Sequence, residues 1–427
     1  AKCLAGDAVK AGHNVKYASA YVNGGDVPEN LWIADKVLSE KEKSTTMVIN
    51  PLFLPEADNT LANSPLPFNF DFKAGISDEN VTLITNYNTE SNDTTGYTLP
   101  DFDNKLTFGR LCVCDDIAVK SVVTLTSTNC NVLLGSANAY SGERCSMVQF
   151  DFANNAINIA PANDGTAIPD TVFQTADMTS AIDSNLTYIL EVGRKQRELY
   201  AKITNYNTGA SVETVVSESE ANDLSYPAGY LYDEPTIALV SGDSVKLERI
   251  YAQVKQYDIA FMGDSITEGH GVPYTDCWAY KTGEWSGKSF VIMGRSGGQA
   301  SCLNRQAGEI LPYIKPEYVV VTIGTNSGNT VNNLTTLMEK IRKIGASPIL
   351  NYICTMSNST SSQNVNNVIA SLGEHGARFD IATAKNNDIS QGQDTTALFQ
   401  PDKLHPNVAG HTACFERFKM DCEFVKK

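Results

Sequence analysis

The chain has 427 residues, more than one ordinary domain of roughly 100–200 residues, so its length predicts two or three domains. A hydrophobic fraction of 42% and a charged fraction of 19% are typical of a globular protein, neither disordered nor membrane-embedded. The formal net charge of −16 repels phosphate backbones and anionic lipid surfaces. We therefore expect neutral substrates and no nucleic acid. No run approaches the ~20 consecutive apolar residues of a membrane span.

Within residues 1–44, the stretch from Lys10 to Glu42 has a mixed pattern with no clear period, and it ends in the charge-rich run Ser39–Lys43. Such a segment is typical of a tether, or of an attachment segment that orders only against a partner. The first residues, Ala1 to Asp7, lack the long apolar centre of a secretory signal. We expect an extracellular or surface-associated protein, either secreted or carried on a virion.

Residues 45–256 contain short runs of β-branched and aromatic residues separated by Asn, Asp, Gly and Ser. Runs such as Ser121–Thr126, Thr187–Val192 and Leu199–Thr204 are too short for helices and predict strands of an all-β domain. The last run continues through a turn into Val212–Val216, which predicts a hairpin. The order of the strands resembles a concanavalin A-like jelly roll of the kind appended to carbohydrate enzymes. A different two-sheet sandwich remains the alternative.

The ten cysteines do not indicate a disulfide scaffold in a chain of this length, and we expect most of them to be buried thiols. Cys112 and Cys114 flank one residue in a predicted strand, so both side chains point to the same face. Core packing and a metal pair both fit that spacing. The acidic run Asp101–Asn104 similarly fits either a solvated loop or a calcium site.

Residues 257–427 alternate between strand and helix patterns, which predicts an α/β domain with a mainly parallel, flavodoxin-like sheet. Helices are predicted at Val331–Ile344 and Ser361–Leu372. Short apolar runs of the kind that a parallel sheet buries on both faces predict five strands. These are Asp258–Met262, Ser289–Met293, Tyr318–Ile323, Pro348–Ile353 and Arg378–Ile381.

The first of these strands runs into Gly263, Asp264 and Ser265. A serine where a buried strand meets a helix lies at the carboxyl edge of the sheet, where α/β folds bind ligands. This is a nucleophile's position, although a serine that only caps the helix fits the same three residues. Gly263 permits the tight turn, and we expect Asp264 to cap the helix or to brace the site.

Near the other end, Asp402 precedes His405 by three residues, just before a helix predicted at Val408–Met420. A histidine can accept the serine proton and deliver it to the leaving alcohol, while a carboxylate fixes its tautomer and stabilises the imidazolium. The spacing allows both residues on one turn. An ordinary Asp-capped turn is the structural alternative.

Two further loops follow predicted strands. Gly324, Thr325 and Asn326 follow the third strand, and the Asn326 amide can donate to a developing oxyanion. Loss of such a contact typically lowers turnover by ~10²–10³. The glycine-rich loop Gly294–Gln299 follows the second strand, and one of its backbone amides can be another oxyanion donor.

In the order Ser, Gly, Asn and Asp-x-x-His, these four blocks resemble the SGNH/GDSL hydrolase family. The resemblance implies that Ser265 is the nucleophile, that His405 is its base and that Asp402 orients His405. It also implies an oxyanion hole made by the backbone N–H groups of Ser265 and Gly298 and by the side chain of Asn326. The family works without a metal or an organic cofactor, so we expect none.

The resemblance covers residues 257–427, and two positions depart from it. Met293 stands where the second block usually opens with an asparagine, so the choice of Gly298 over Gly297 rests on ungapped spacing from that position. Ser327 stands where an aspartate commonly follows Asn326.

We therefore expect a serine esterase that removes acetyl or other short acyl groups from a carbohydrate through an acyl-enzyme. The carbohydrate follows from the β-rich companion domain and from the breadth of the family. The alternative is a glycan-binding or structural appendage of a virion or cell-surface assembly, carrying an accessory esterase domain and forming a homotrimer or other assembly. The presence of all four blocks disfavours a hydrolase fold without activity.

Overall fold

The computed structural model describes residues 32–33, 36–37, 69–77, 84–101, 104–111, 117–137, 145–162, 172, 174–216, 236–242, 244–294, 296–326, 330–356 and 359–426. Residues 1–111, 117–193 and 198–255 form one compact unit, and residues 112–116, 194–197 and 256–427 form another. Of the predicted tether, only the short pairing of β1 (Trp32–Ile33) with β2 (Lys36–Val37) is described. The rest of the tether, Cys112 and Cys114 lie outside the described residues.

Besides the β1–β2 pair, the described part of the first unit contains two larger antiparallel sheets. One has the strand order β12-β11-β10-β9-β16-β7-β4, and the other has the order β15-β14-β13-β8-β17-β6-β5, with β3 paired to β17. The strands are β3 (Asn69–Asp71), β4 (Ile84–Thr85), β5 (Asn92–Asp93), β6 (Gly96–Thr98), β7 (Leu106–Leu111), β8 (Ile117–Leu125), β9 (Asn131–Ala137), β10 (Cys145–Asp151), β11 (Ala156–Ala162), β12 (Gln174–Asp177), β13 (Thr187–Lys195), β14 (Glu198–Asn205), β15 (Ser211–Val216), β16 (Thr236–Gly242) and β17 (Val245–Val254).

Strand β14 shows why these residues form a half-buried sheet. Its side chains alternate, and Leu199, Ala201 and Ile203 are fully buried between more exposed neighbours. The two sheets meet through such residues, for example at Phe70 and Phe108, whose ring centroids lie 5.2 Å apart. Burying each large apolar side chain stabilises the unit by about 1.5–3 kcal/mol. The predicted all-β region is confirmed, while the specifically concanavalin A-like arrangement stays a prediction.

The predicted hairpin joins β14 to β15, with Leu199 opposite Val216 and Thr204 opposite Ser211. The Asn205 side chain accepts hydrogen bonds from the N–H groups of Asn207 and Thr208, and this bonding closes the turn.

The second unit contains a four-stranded parallel sheet in the order β19-β18-β20-β21. Its strands are β18 (Ile259–Gly263), β19 (Phe290–Gly294), β20 (Tyr318–Thr322) and β21 (Ser347–Leu350). Its helices are α1 (Ser265–Glu268), α2 (Trp278–Ser286), α3 (Ala300–Glu309), α4 (Leu311–Ile314), α5 (Val331–Lys343), α6 (Ser359–Ser371), α7 (Phe379–Ala382) and α8 (Val408–Asp421). The predicted α/β class and four of its five strands are confirmed.

All five residues of β18 are buried, as expected for a strand covered on both faces. Trp278 of α2 is fully buried and packs its ring against Phe261, Phe379 and Phe418, at centroid distances of 5.6, 4.9 and 6.2 Å. This aromatic cluster joins β18 to α2, α7 and α8. It therefore fixes the strand that precedes Ser265 against the helix that follows His405.

The fifth predicted strand, Arg378–Ile381, is wrong. Residues 375–377 run beside β21 and its extension, and Arg378 makes a single parallel bridge to Tyr352. The backbone then turns into α7, because the Arg378 carbonyl accepts from the N–H groups of Ile381 and Ala382. Short apolar runs of this kind fit a buried helix as well as a strand, so periodicity alone does not separate them.

Candidate active site

Ser265 begins α1 directly after the central strand β18. Asp264 is the helix N-cap, and its carboxylate accepts from the N–H of Ile266 at 3.0 Å. At Gly263 a Cβ atom would lie 2.1 Å from the Thr267 hydroxyl oxygen and 2.4 Å from the Thr322 carbonyl oxygen. Only glycine fits there, so the strand can pass closely beneath the turn. The prediction that Asp264 caps the helix is confirmed.

Asp402 and His405 lie on one tight turn before α8. One carboxylate oxygen of Asp402 accepts from the N–H groups of Leu404 and His405 at 2.9 and 3.0 Å. The other lies 2.7 Å from His405 Nδ1. Lys403 adopts a positive φ of 58°, which lets the three-residue spacing close into this turn.

His405 Nε2 lies 2.9 Å from Ser265 Oγ. The structure therefore brings Ser265, His405 and Asp402 into one hydrogen-bonded chain, in the order that proton transfer from serine requires. Ser265 exposes only 6% of its surface, whereas the Asp402 side chain is 45% exposed. In this arrangement His405 can take the Ser265 proton while Asp402 stabilises the resulting imidazolium.

The loops predicted to supply oxyanion donors follow β19 and β20, the two strands that flank β18. The Asn326 side-chain amide donates to the Gly298 carbonyl at 3.0 Å, so these two loops meet. Neighbouring Gly297 adopts a positive φ of 76°, and no atom lies within 4 Å of a Cβ added there. The assignment of Gly298 rather than Gly297 as the backbone donor stays a proposal.

Glu268, at the end of α1, was not singled out from the sequence. It is buried, and its carboxylate accepts from the N–H and the hydroxyl of Ser296 at 2.7 and 2.5 Å. A Cβ at Gly294 would lie 2.4 Å from the Glu268 backbone nitrogen. The glycine-rich loop is therefore held against α1 at two points. In the sequence, the one sign of this role of Glu268 was an acidic residue three positions after the serine.

The loop after α1 was also missed. His270 lies beside His405, with ring centroids 4.5 Å apart. Arg197 belongs to the same compact unit and is buried, and its guanidinium donates to the carbonyls of Gly269 and Val272 at 2.7 and 2.8 Å. A sequence separation of more than 70 residues left no signal for this contact.

Two buried groups near the serine and histidine have strongly shifted pKa values. Burial raises the pKa of Asp264 to about 6, and hydrogen bonds from Ile266 and Thr325 and the charge of His405 oppose that rise only in part. Burial lowers the pKa of His411 to about 3, so this imidazole is neutral; its Nδ1 accepts from the N–H of Trp278 at 3.3 Å.

Asp402 behaves differently. Its partial burial raises the pKa, but hydrogen bonds from the His405 ring and from the backbone N–H groups of Leu404 and His405 outweigh that effect. The pKa of Asp402 therefore lies below its ordinary value, and the carboxylate stays ionised beside His405.

Within the described ranges, no group of three or more His, Cys, Asp or Glu side chains is arranged to hold a metal ion. None of the helices in those ranges has the length and hydropathy needed to cross a bilayer.

Residues 261–413 match the GDSL-like lipase/acylhydrolase family. No curated protein sequence matches the chain. Solved structures similar to its C-terminal part include a GDSL-like lipase from Bacteroides thetaiotaomicron VPI-5482, with 17% identity, 39% of this chain and 88% of that chain covered, and a TM-score of 0.32. The esterase EstA from Pseudoalteromonas sp. is 21% identical, with 39% of this chain and 96% of that chain covered and a TM-score of 0.31. A variant of an acetyl xylan esterase from Geobacillus stearothermophilus is 18% identical, with 39% of this chain and 93% of that chain covered and a TM-score of 0.31.

The family match spans all four blocks recognised in the sequence, from the Gly-Asp-Ser turn to the Asp-x-x-His turn. The C-terminal domain of the chain therefore belongs to the GDSL-like lipase/acylhydrolase family.

Proposed function

We propose that the C-terminal domain is a serine esterase that removes acetyl or other short acyl groups from a carbohydrate. The observation that carries the proposal is the chain of hydrogen bonds from Ser265 through His405 to Asp402, with distances of 2.9 and 2.7 Å. A hydroxyl, an imidazole and an ionised carboxylate in this order are the groups that acyl transfer to serine requires.

The reaction has two halves. His405 removes the Ser265 proton as Oγ attacks the ester carbonyl, and the N–H groups of Ser265 and Gly298 with the amide of Asn326 stabilise the oxyanion. His405 then gives its proton to the leaving alcohol, and the acyl group stays on Ser265. In the second half His405 activates a water molecule, which releases the acid and restores Ser265.

The carbohydrate part of the proposal has separate support. The His270 ring lies beside the His405 ring, and the Gln400 side chain donates to the His270 carbonyl. An imidazole is a hydrogen-bonding group of the kind that recognises hydroxyls. The preceding all-β unit also fits an appendage of carbohydrate enzymes. The expected assembly and the extracellular or surface location stay predictions.

The direct test compares hydrolysis of p-nitrophenyl acetate by the wild-type chain and by Ser265→Ala. We expect the variant to lose at least about 10³-fold in kcat, because removal of a nucleophile leaves only the oxyanion hole and binding. Two further comparisons define the substrate: p-nitrophenyl palmitate tests a long acyl chain, and acetylated sugars test a carbohydrate alcohol. Equal turnover by both proteins would refute Ser265 as the nucleophile, while activity on long-chain esters but none on acetylated sugars would refute the substrate class.

A further inference from the structure

We propose that His270 contacts the alcohol part of the ester and selects alcohols that carry a free hydroxyl beside the acylated oxygen. This inference rests on the esterase function proposed above and names a residue that determines its substrate. It starts from the position of the His270 ring, which lies 4.5 Å from the ring of His405, with the two planes inclined at 45°.

The His270 ring is available to a ligand. The residue is exposed, and no hydrogen bond from another described residue reaches either of its ring nitrogens. A neutral imidazole donates one hydrogen bond and accepts another. Because no described residue bonds either nitrogen, this ring beside the active site suits a hydroxyl, which also donates and accepts.

The backbone holds His270 in place before any substrate binds. Gly269 and Gly271 both adopt positive φ values, 84° and 75°, which few other residues tolerate. A Cβ at Gly269 would lie 2.7 Å from the Cys277 Cβ, and one at Gly271 would lie 2.3 Å from the Gln400 side-chain oxygen. The turn is therefore packed on both sides of the histidine.

Hydrogen bonds complete this support. The His270 N–H donates to the Ser265 carbonyl at 2.9 Å, and the His270 carbonyl accepts from the Gln400 side chain at 2.8 Å. Arg197 holds the carbonyls of Gly269 and Val272. The backbone that carries the His270 ring is therefore ordered before substrate binds, which lowers the entropic cost of making the contact.

The direction of the reaction places the alcohol near His270. The ester carbonyl oxygen must face the oxyanion donors, which come from Ser265 and from the loops after β19 and β20. The leaving oxygen must lie within hydrogen-bond distance of His405, because His405 returns the proton to it. The atoms next to that leaving oxygen therefore lie on the His405 side of the site, where His270 projects.

The bond that breaks is the acyl C–O bond, and its electron pair stays on the alcohol oxygen, which takes the proton from His405. His270 transfers no proton in this scheme. Its contact is to a neighbouring hydroxyl, so an alcohol without that hydroxyl gains nothing from His270.

The test compares two acetates with the same ring size, a methyl glucoside acetylated at one position and cyclohexyl acetate, with p-nitrophenyl acetate as a third substrate. The variants are His270→Ala, His270→Phe, which keeps an aromatic ring, and His270→Asn, which keeps hydrogen-bonding groups. His375→Ala is the matched control, because His375 is an exposed histidine of the same unit whose Nε2 bonds the Asp421 carbonyl.

We expect His270→Ala and His270→Phe to lower kcat/KM on the sugar acetate about tenfold, as for the loss of a hydrogen bond to substrate. Both should stay within about twofold of wild type on the other two esters, and His270→Asn should recover part of the loss. Equal losses on all three esters would show that His270 acts through His405, and no loss on any would show that it makes no contact. Either result overturns the inference and leaves the esterase intact.

Two wild-type results also bear on the inference. Turnover of p-nitrophenyl acetate without turnover of the sugar acetate overturns it. A wild-type chain that hydrolyses none of the three esters refutes the proposed function, and the inference with it.

Discussion

Polar side chains are arranged differently in the two units. In the all-β unit, four side chains form a row across β9, β10, β11 and β12: Asn131, Gln149, Asn158 and Thr175 bond in succession at 3.0, 2.9 and 2.9 Å. Gln149 is the buried member of this row, and Thr175, at its end, is exposed. None of these groups titrates, and each satisfies its neighbour.

In the α/β unit, three of the buried polar groups around the triad are titratable. Asp264, Glu268 and His411 are each no more than 2% exposed, and burial shifts the pKa of Asp264 and of His411 far from their ordinary values. Burial of such groups costs stability, and perturbed pKa values concentrate at functional sites. We therefore infer that the row of amides supports the sheet, whereas the titratable groups around Ser265 and His405 support the proposed chemistry.

The largest effect expected from this contrast concerns Asn326, a polar group that we assign to catalysis and not to support. Asn326→Ala should lower kcat on p-nitrophenyl acetate by ~10²–10³ with little change in KM, because the lost donor acts mainly in the transition state. Asn326→Asp keeps the size of the side chain but places an acceptor near the oxyanion, so it should lose at least as much. A loss smaller than about fivefold in both variants would remove Asn326 from the oxyanion hole.

The second prediction concerns the stability cost of Asp264. The pKa of Asp264 is about 6 in the folded chain, whereas the ordinary value of 3.8 applies to the unfolded chain. Between pH 3.8 and pH 6 the folded state therefore binds more protons than the unfolded state. The free energy of unfolding therefore falls as pH rises from about 4 to 6, and the full cost remains above pH 6. Asp264→Asn keeps the helix cap and removes the charge, and it should raise the free energy of unfolding at pH 8 by on the order of 3 kcal/mol.

Urea unfolding of the wild type and Asp264→Asn between pH 4 and 8 measures this difference, which should vanish below about pH 4. His411 has the opposite dependence, because its folded pKa of about 3 lies below 6.5 and its stability contribution is lost as pH falls through that range. Asp264→Asn should therefore lose stability toward acid more steeply than the wild type. A pH-independent difference between the two proteins would contradict the raised pKa of Asp264.

The smallest effect is expected in the row of amides. Gln149→Leu removes the bonds to Asn131 and Asn158 and should lower the free energy of unfolding by about 1–3 kcal/mol. The control Thr175→Val removes only the terminal bond and should cost about 0.5–1.5 kcal/mol. Hydrolysis of p-nitrophenyl acetate should not change in either variant. A tenfold loss of activity would mean that the row does more than support the sheet.

The sequence predicted most elements whose pattern was local. Strand β14 alternates and β18 is apolar throughout, so each period indicated how the strand is buried. The Asp-x-x-His spacing similarly predicted one turn that holds Asp402 and His405. The strand predicted at Arg378–Ile381 was wrong because a short apolar run fits a buried helix equally well.

The surroundings of the triad could not be predicted in the same way. The contact between Arg197 and Gly269 joins residues far apart in the sequence, and no local pattern records it. His270 did have a local signal, since glycines on both sides of one residue indicate a tight turn. That signal becomes informative only when the fold shows which ring lies beside it.

Covalent trapping of the nucleophile tests the roles of Ser265 and His405 without any choice of substrate. The wild-type chain is incubated with a fluorophosphonate, and the labelled peptide is identified by mass spectrometry. We expect one adduct on Ser265, formed much more slowly in His405→Ala and absent in Ser265→Ala. Labelling of another residue, or labelling of Ser265 at the same rate without His405, would contradict the proposed nucleophile and base.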